Sequence, residues 1–136
     1  LLPASIIDKQ TGVARERAAI AGVFTRRLQR GMRLQTDPTI IYGLGDDFDG
    51  NLKRRHLRDD KNPYNTYRIS GLPPTPIALP GEAAISAALN PSPGSVLYFV
   101  AKGDGSHVFS ETLSEHEKNV RRYQLQRKKD YRSSPR

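Results

Sequence analysis

Two segments rich in glycine, proline, asparagine and threonine hold the side chains best suited to bind a polar ligand. Residues 31–43 carry Tyr42, and residues 62–81 carry Tyr64 and Tyr67. Proline restricts the backbone of such segments, and side chains held on rigid loops often serve binding. Aromatic rings beside polar groups are typical of sites that recognise a polar, ring-shaped molecule. The two segments therefore predict a binding surface for a molecule of this kind.

The same residues also have ordinary structural interpretations. Thr36 or Asp37 could cap a short helix, because Pro38 follows and suits the first helical turn. Asn65 and Thr66 are residue types that commonly form turns. Each tyrosine could belong to the core, with its hydroxyl group bonded internally. The residues alone leave both interpretations open.

The sequence gives no indication of a metal or cofactor site. The chain has no cysteine, and its three histidines form no His-x-x-x-His or Glu-x-x-His motif. Those spacings place two ligands on one helix face, as in many zinc sites. We expect no metal ligand and no cofactor. His107 is interpreted as a structural residue beside a hairpin turn, with a position in the binding groove as the alternative.

Helical periodicity and glycine or proline stops predict most of the regular structure. The predicted helices cover residues 4–11, 15–29, a short turn after Thr36, 54–58, 81–89 and 114 to about 131. Glu16 is interpreted as an acid that supports the first turn of the second helix, with a site role as the alternative. Ser114 and Glu117 match a capping box at the start of the last helix.

One β-hairpin completes the predicted fold. Residues 96–101 are the clearest predicted strand, 103–105 form a turn, and 107–109 return as the partner strand. The fold class is therefore α+β: a mostly helical single domain with a small antiparallel hairpin at about 96–110 and a long C-terminal helix.

Composition and charge limit the classes of function. The 136 residues are 36% hydrophobic and 26% charged, a balance typical of one globular domain. The net charge of +8 favours anionic partners such as nucleic acids, acidic lipids or polymers that carry carboxylates. No recognition helix, aromatic RNA-binding motif or phosphate-binding glycine loop is present, so we expect no nucleic-acid partner.

Short motifs in a fixed order along residues 4–120 resemble the YceG-like family, the endolytic murein (lytic) transglycosylases of bacteria. A single motif would be weak evidence, but a set that keeps its order along most of the chain is specific. The matching segments are 4–7, 31–39 with 41–43, 64–67, 71–74 with positions 77, 80 and 81, 97–100, 107–109 and the region of 115–116.

The resemblance implies cleavage of the β-1,4 bond between N-acetylmuramic acid and N-acetylglucosamine within peptidoglycan strands. No water is added, and the muramic 6-hydroxyl closes onto C1 to leave a 1,6-anhydro end. Residues 1–136 would form the catalytic subdomain, without the single-pass membrane anchor and LysM-like subdomain of the family. The implied location is the periplasmic face of the bacterial inner membrane, with membrane contact only through the missing anchor. Glycan strands are the implied partner, and cell-wall synthases are candidate partners.

The resemblance also implies which position performs the chemistry. The catalytic glutamate of the family is the second Glu of the motif Ala-Ser-Ile-Val-Glu-Lys-Glu-Thr, and residues 4–11 here read ASIIDKQT. Asp8 and Gln10 therefore stand where the family has glutamates. A carboxyl group can protonate the leaving oxygen and then accept a proton, whereas an amide can only form hydrogen bonds. Asp8 is no substitute, because two residues along a helix turn the side chain by roughly 200°.

We therefore expect this copy to be inactive but still able to bind sugar. Gln10 is either an engineered replacement or the natural residue of a binding-only relative, and the sequence leaves both origins open. The resemblance implies substrate contacts near the scissile bond or along the groove from eight residues: Gln35, Thr36, Asp37, Tyr42, Tyr64, Asn65, Thr66 and Tyr67.

Overall fold

Helices α1 (Leu2–Gln10), α2 (Arg17–Gln29) and α5 (Glu82–Leu89) pack against one another around the hydrophobic core in a computed structural model, which describes residues 1–123. Apolar side chains recur at helical spacing in each of them, so each helix buries one face. The core side chains include Ile6, Ile7, Ile20, Phe24, Leu34, Ile77, Ala84 and Ala87.

A two-stranded antiparallel sheet lies beside these helices. Strand β1 (Tyr98–Ala101) pairs with β2 (His107–Ser110), with Phe99 opposite Phe109 and Ala101 opposite His107. The Phe99 ring meets Phe24 of α2 edge-on at 5.8 Å between ring centroids, which joins the sheet to the core. The last described helix, α6 (Leu113–Tyr123), packs on both strands.

The remaining helices are short. Helix α3 (Asp37–Leu44) contacts α1 and leads into a 3-10 turn at Gly45–Asp47, and α4 (Arg54–Arg58) follows. Residues 62–80 contain turns and bends but no helix or strand. Their prolines account for this, since proline cannot donate a backbone hydrogen bond to a helix or sheet. No helix within residues 1–123 combines the length and apolar character needed to cross a bilayer.

The predicted fold class is confirmed: the described chain is a mostly helical α+β domain with one antiparallel hairpin. The predicted capping box at Ser114 is wrong. The helix begins at Leu113, and the hydroxyl group of Thr112 accepts a hydrogen bond from the Glu115 backbone N–H at 3.2 Å. The spacing of the predicted motif is right, but the motif lies two residues earlier, at Thr112 and Glu115. The predicted continuation of this helix to about residue 131 lies outside the described residues.

Arg27 connects three parts of the chain from inside the protein. This side chain of α2 is buried, and its guanidinium group donates hydrogen bonds to the carbonyl oxygens of Leu97 at 2.7 Å and Leu34 at 2.6 Å. Burial lowers its pKa from the ordinary value for arginine. These bonds hold the segment before α3 and the segment before β1 against the same helix.

Gly22 allows the chain after α5 to cross α2 at close range. The Ser92 backbone N–H donates to the carbonyl oxygen of Ala18 at 2.9 Å, and the Ser92 carbonyl oxygen accepts from Arg26 at 2.9 Å. A Cβ atom on Gly22 would lie 2.4 Å from that Ser92 oxygen. Backbone atoms cannot move aside without breaking these bonds, so the crossing requires glycine.

We expect Gly22→Ala to destabilise the fold by about 1–3 kcal/mol, the usual penalty for overpacking. The clash outweighs the roughly 1 kcal/mol that alanine gains over glycine within a helix. Chemical denaturation followed by circular dichroism would measure the free energy of unfolding. Gln29→Ala, at the exposed end of the same helix, is the matched control. A Gly22→Ala variant as stable as the parent would contradict the close crossing.

Candidate functional site

Gln10 ends α1 and lies in a buried cluster of polar side chains. Its exposed fraction is 6%, and its Oε1 accepts a hydrogen bond from the Thr36 hydroxyl at 2.6 Å. Its Nε2 is 3.2 Å from Nε2 of His107, the first residue of β2. Gln10, Thr11, Glu16, Thr36 and His107 are called the Gln10 cluster below. The amide is therefore buried and hydrogen-bonded to polar side chains on both sides.

Glu16 fixes the other side of His107. One carboxylate oxygen accepts from the His107 backbone N–H at 2.8 Å, and the other lies 2.9 Å from the His107 Nδ1. The second oxygen also accepts from the Thr11 hydroxyl at 3.0 Å. Since both oxygens are acceptors, the proton of the imidazole belongs on Nδ1. The Nε2 of a neutral ring is then an acceptor, and the Gln10 amide donates to it.

Glu16 occupies the N-cap position of α2, so an acid does stand at the start of this helix as predicted, but its side chain makes no capping bond. The residue is 5% exposed, and its carboxylate bonds to Thr11 and His107. His107 is buried and bonds to Gln10 and Glu16, so it belongs to the Gln10 cluster, while a position in an open groove stays a prediction. Glu16 and His107 are 91 positions apart, so no local motif could reveal their contact.

Thr36 reaches Gln10 because its backbone is held by Thr66. The Thr36 N–H donates to the Thr66 hydroxyl at 2.9 Å, and that hydroxyl donates to the Thr36 carbonyl oxygen at 3.1 Å. Thr36 occupies the N-cap position of α3 but makes no capping bond through its side chain. Its hydroxyl group, which usually caps a helix, points to Gln10 instead.

The residue before Thr36 has an unusual backbone. Gln35 has φ of 51°, a left-handed value that is uncommon outside glycine, and its N–H donates to the Thr66 carbonyl oxygen at 3.1 Å. Strained residues of this type often lie at functional sites, and the surrounding bonds maintain them. The Gln35 side chain is exposed beside the cluster, so it remains available to a ligand.

Asp37 and Tyr67 form a pair at the start of α3. The Tyr67 hydroxyl donates to an Asp37 carboxylate oxygen at 2.8 Å. Burial, and next the negative charge of Asp37, raise the pKa of the Tyr67 hydroxyl well above its ordinary value. The tyrosine therefore stays protonated and keeps donating to the carboxylate. Asp37 is the first residue of α3 and not its cap, and Pro38 is the second and not the first.

Asn65 is buried and bonds only to backbone groups in the described contacts. Its Nδ2 donates to the carbonyl oxygens of His56 at 3.1 Å, Leu57 at 3.1 Å and Asp59 at 2.7 Å. Its Oδ1 accepts from the Tyr67 N–H at 3.0 Å. This arrangement fastens the end of α4 to the loop that carries the tyrosines. Direct substrate contacts by Asn65 and Thr66 stay predictions, since both side chains lie below the surface.

Two of the predicted aromatic residues form one surface feature. The rings of Tyr42 and Tyr64 lie 4.9 Å apart between centroids at an angle of 59°. Tyr42 on α3 is 47% exposed, whereas the Tyr64 hydroxyl bonds to Thr75 at 2.8 Å. The fold thus brings the two loop segments together and leaves one tyrosine ring open to a ligand.

Helix α3 connects this aromatic pair with the Gln10 cluster. Thr36 precedes the helix, and Tyr42 lies six residues further on, about 9 Å along the axis at 1.5 Å per residue. Asp8 lies apart from the cluster, near Gly81. Within residues 1–123, no group of three or more potential metal ligands is arranged to hold an ion. The arrangement offers hydrogen bonds and an aromatic surface, and its amide at position 10 cannot transfer a proton.

Comparisons with known proteins agree on one family. The sequence profile of the YceG-like family matches residues 1–122. An endolytic murein transglycosylase of Bacillus subtilis is 44% identical over 123 residues, which cover 90% of this chain and 34% of the relative. The endolytic murein transglycosylase of Streptococcus pneumoniae strain D39 is 34% identical over 121 residues, covering 86% of this chain and 22% of the relative.

A solved structure shows the same fold. The crystal structure of a YceG-like protein of Listeria monocytogenes is similar with a TM-score of 0.75 and 43% sequence identity. The match covers 86% of this chain and 38% of that one. The chain thus spans between about a fifth and two fifths of the length of the proteins it resembles.

Proposed function

Because the chain belongs to the YceG-like family, we propose that it is the catalytic subdomain of an endolytic murein transglycosylase. The reaction would be the non-hydrolytic cleavage of the bond between N-acetylmuramic acid and N-acetylglucosamine within a glycan strand. The names of the relatives from Bacillus and Streptococcus support this proposal. The observation that carries it is the position of Gln10, held by Thr36 and His107 at the end of α1.

In this proposal, α3 supports both binding and chemistry. The exposed ring of Tyr42 would pack against the face of a sugar, because the axial C–H groups of a pyranose suit an aromatic surface. Thr36, at the start of the same helix, would keep the side chain at position 10 in place. The side chain of Gln35 is exposed near Thr36 and would bond to hydroxyl or acetamido groups of the glycan.

With glutamine at position 10, the domain would bind the glycan strand but would not cleave it. A carboxyl group there would protonate the leaving glycosidic oxygen and then accept a proton from the muramic 6-hydroxyl. The amide has a similar shape and its bonds to Thr36 and His107 are made, so the site keeps its form without a transferable proton. This observation favours a second candidate function, a peptidoglycan-binding module without catalysis. The native codon at position 10 distinguishes an engineered residue from a natural one.

The proposed substrate also implies a location and partners. A glycan-cleaving domain must reach the cell wall, so we propose the periplasmic face of the bacterial inner membrane as its place of action. Cell-wall synthases are proposed partners, because strand cleavage must be coordinated with strand synthesis. The basic surface expected from the net charge of +8 would be attracted to the carboxylates of the stem peptides.

We expect the unaltered chain to sediment with purified sacculi and Tyr42→Ala to bind them about tenfold more weakly. Loss of an exposed aromatic contact commonly costs about 1–2 kcal/mol of binding free energy. The measurement is the fraction of protein that sediments as a function of sacculus concentration. Leu113→Ala removes an exposed apolar side chain on α6 and serves as the control. Equal binding of both variants would contradict the role of Tyr42, and no binding by the parent would contradict the proposed function.

A further inference from the structure

We propose that Glu16 and His107 form a positioning pair that sets the proton and the orientation of the side chain at position 10. This inference rests on the proposed function, because a proton at position 10 matters only if the domain cleaves glycans. Neither residue is assigned a catalytic contact with substrate. They act through position 10, from the side opposite to Thr36.

Glu16 fixes the orientation of the His107 imidazole. Glu16 binds His107 at two points, the backbone N–H at 2.8 Å and Nδ1 at 2.9 Å. The Thr11 hydroxyl adds a third bond to the same carboxylate at 3.0 Å. A ring held in this way cannot turn to present its other nitrogen without breaking the carboxylate contact. In the neutral ring, the lone pair of Nε2 therefore faces position 10.

The two sides of the Gln10 amide face different hydrogen-bonding groups. Its N–H₂ group faces Nε2 at 3.2 Å, and its oxygen faces the Thr36 hydroxyl at 2.6 Å. The side that faces the neutral ring of His107 thus suits a donor, and the Thr36 hydroxyl on the other side donates to an acceptor. A protonated carboxyl group suits both sides, with its O–H toward His107 and its C=O toward Thr36. The amide therefore imitates the acid form of a carboxyl group, the form that is ready to donate a proton.

A carboxyl group at position 10 would be buried and close to the negative charge of Glu16. Burial disfavours its ionised form, and so does the nearby negative charge of Glu16, so both raise the pKa of a carboxyl group at position 10. The titratable group in contact with His107 is Glu16. The uncharged neighbours of His107 are Gln10 and Phe99, and the Phe99 and His107 ring centroids are 5.5 Å apart. As long as the His107 ring is uncharged, both effects favour the acid form of a carboxyl group at position 10 over its ionised form.

In the proposed reaction, a carboxyl group at position 10 gives up one proton and regains one. The carboxyl proton moves to the glycosidic oxygen as the C1–O bond breaks, which leaves a carboxylate at position 10. The muramic 6-hydroxyl attacks C1 and gives its proton to this carboxylate, so the acid form is restored without any other reactant. His107 and Glu16 hold the carboxyl group in one orientation through both transfers, and neither gains nor loses an atom.

A first experiment needs no activity. In the unaltered chain, the ¹⁵N chemical shifts of His107 should show a neutral ring with its proton on Nδ1, and Glu16→Gln should reduce the population of this tautomer. Glu82→Gln removes a carboxylate from the exposed start of α5 and should leave these shifts unchanged. A ring with its proton mainly on Nε2 in the unaltered chain would overturn the inference.

A second experiment uses Gln10→Glu as the parent and adds Glu16→Gln or His107→Gln. We expect each addition to lower kcat on sacculi about 10- to 100-fold with KM nearly unchanged, because misplacement of a catalytic group has effects of that size. A merely structural loss would lower the folded fraction and with it the apparent kcat at an unchanged KM, so kcat is expressed per folded molecule, with the folded fraction measured by circular dichroism on the same sample. Folded double variants with the kcat of the parent would overturn the inference. If Gln10→Glu itself releases no anhydro product, the proposed function fails, and the His107 shifts still decide the tautomer.

Discussion

Replacing Gln10 by glutamate is expected to raise the release of 1,6-anhydromuropeptides from purified sacculi about 10²- to 10⁴-fold, the usual contribution of a general acid and base. The substitution changes one amide nitrogen into an oxygen in a site whose partners are already placed. The Thr36 hydroxyl and the His107 Nε2 both suit a protonated carboxyl group. The measurement is the amount of anhydro product separated by liquid chromatography and identified by mass.

Two further variants make this experiment decisive. Gln10→Ala removes every polar atom at the position and should be as inactive as the unaltered chain. Asp8→Asn, introduced together with Gln10→Glu, should leave the gained activity unchanged, because Asp8 lies near Gly81 and apart from the cluster. A folded Gln10→Glu variant without product would refute the proposed enzyme and leave the peptidoglycan-binding module.

Asn65→Asp is expected to lower the free energy of unfolding by about 3 kcal/mol or more, the cost of a buried polar group without its partners. The Nδ2 group donates to three backbone carbonyl oxygens at 2.7–3.1 Å. A carboxylate oxygen in its place offers no hydrogen and would face those oxygens with a like partial charge. The carboxyl group would escape the repulsion only by taking up a proton, so the loss should be larger at neutral than at acidic pH.

Chemical denaturation at two pH values would test this prediction. Asn51→Asp, at an exposed position of the polar segment before α4, makes the same chemical change and should alter stability by less than about 0.5 kcal/mol. The result also separates two roles for Asn65. A variant that stays fully stable but binds sacculi weakly would support a direct substrate contact, whereas lost stability supports its role in holding residues 56–59 in place.

The features predicted well were those encoded by neighbouring residues. Helix α2, the interruptions in residues 62–80 and the β1–β2 hairpin follow from patterns within about ten positions, and all appear in the structure. Local patterns gave the wrong N-cap for α6, because two suitable residues lie close together in the sequence. Thr112 and Ser114 are both good capping residues, and only the observed bond from Glu115 selects Thr112.

The site was less predictable because its bonds join distant residues. Gln10 and Thr36 are 26 positions apart, and Gln10 and His107 are 97 positions apart. The resemblance to a family indicated Gln10, but it did not reveal that Glu16 holds His107. Thr66 was expected to touch substrate, and the structure shows a hydroxyl group that organises the backbone of Thr36. Residue type predicted that these groups form hydrogen bonds, whereas only the tertiary structure identifies their partners.

The wide separation of Gln10 and His107 along the chain has a consequence for biosynthesis. The ribosome makes α1 among the first elements of this stretch and β2 among the last, so the arrangement around residue 10 stays incomplete until the hairpin has emerged. A nascent or prematurely terminated product that ends before β2 would contain the tenth residue but lack the imidazole that orients it. The order of synthesis therefore delays assembly of the Gln10 cluster until β2 has been made.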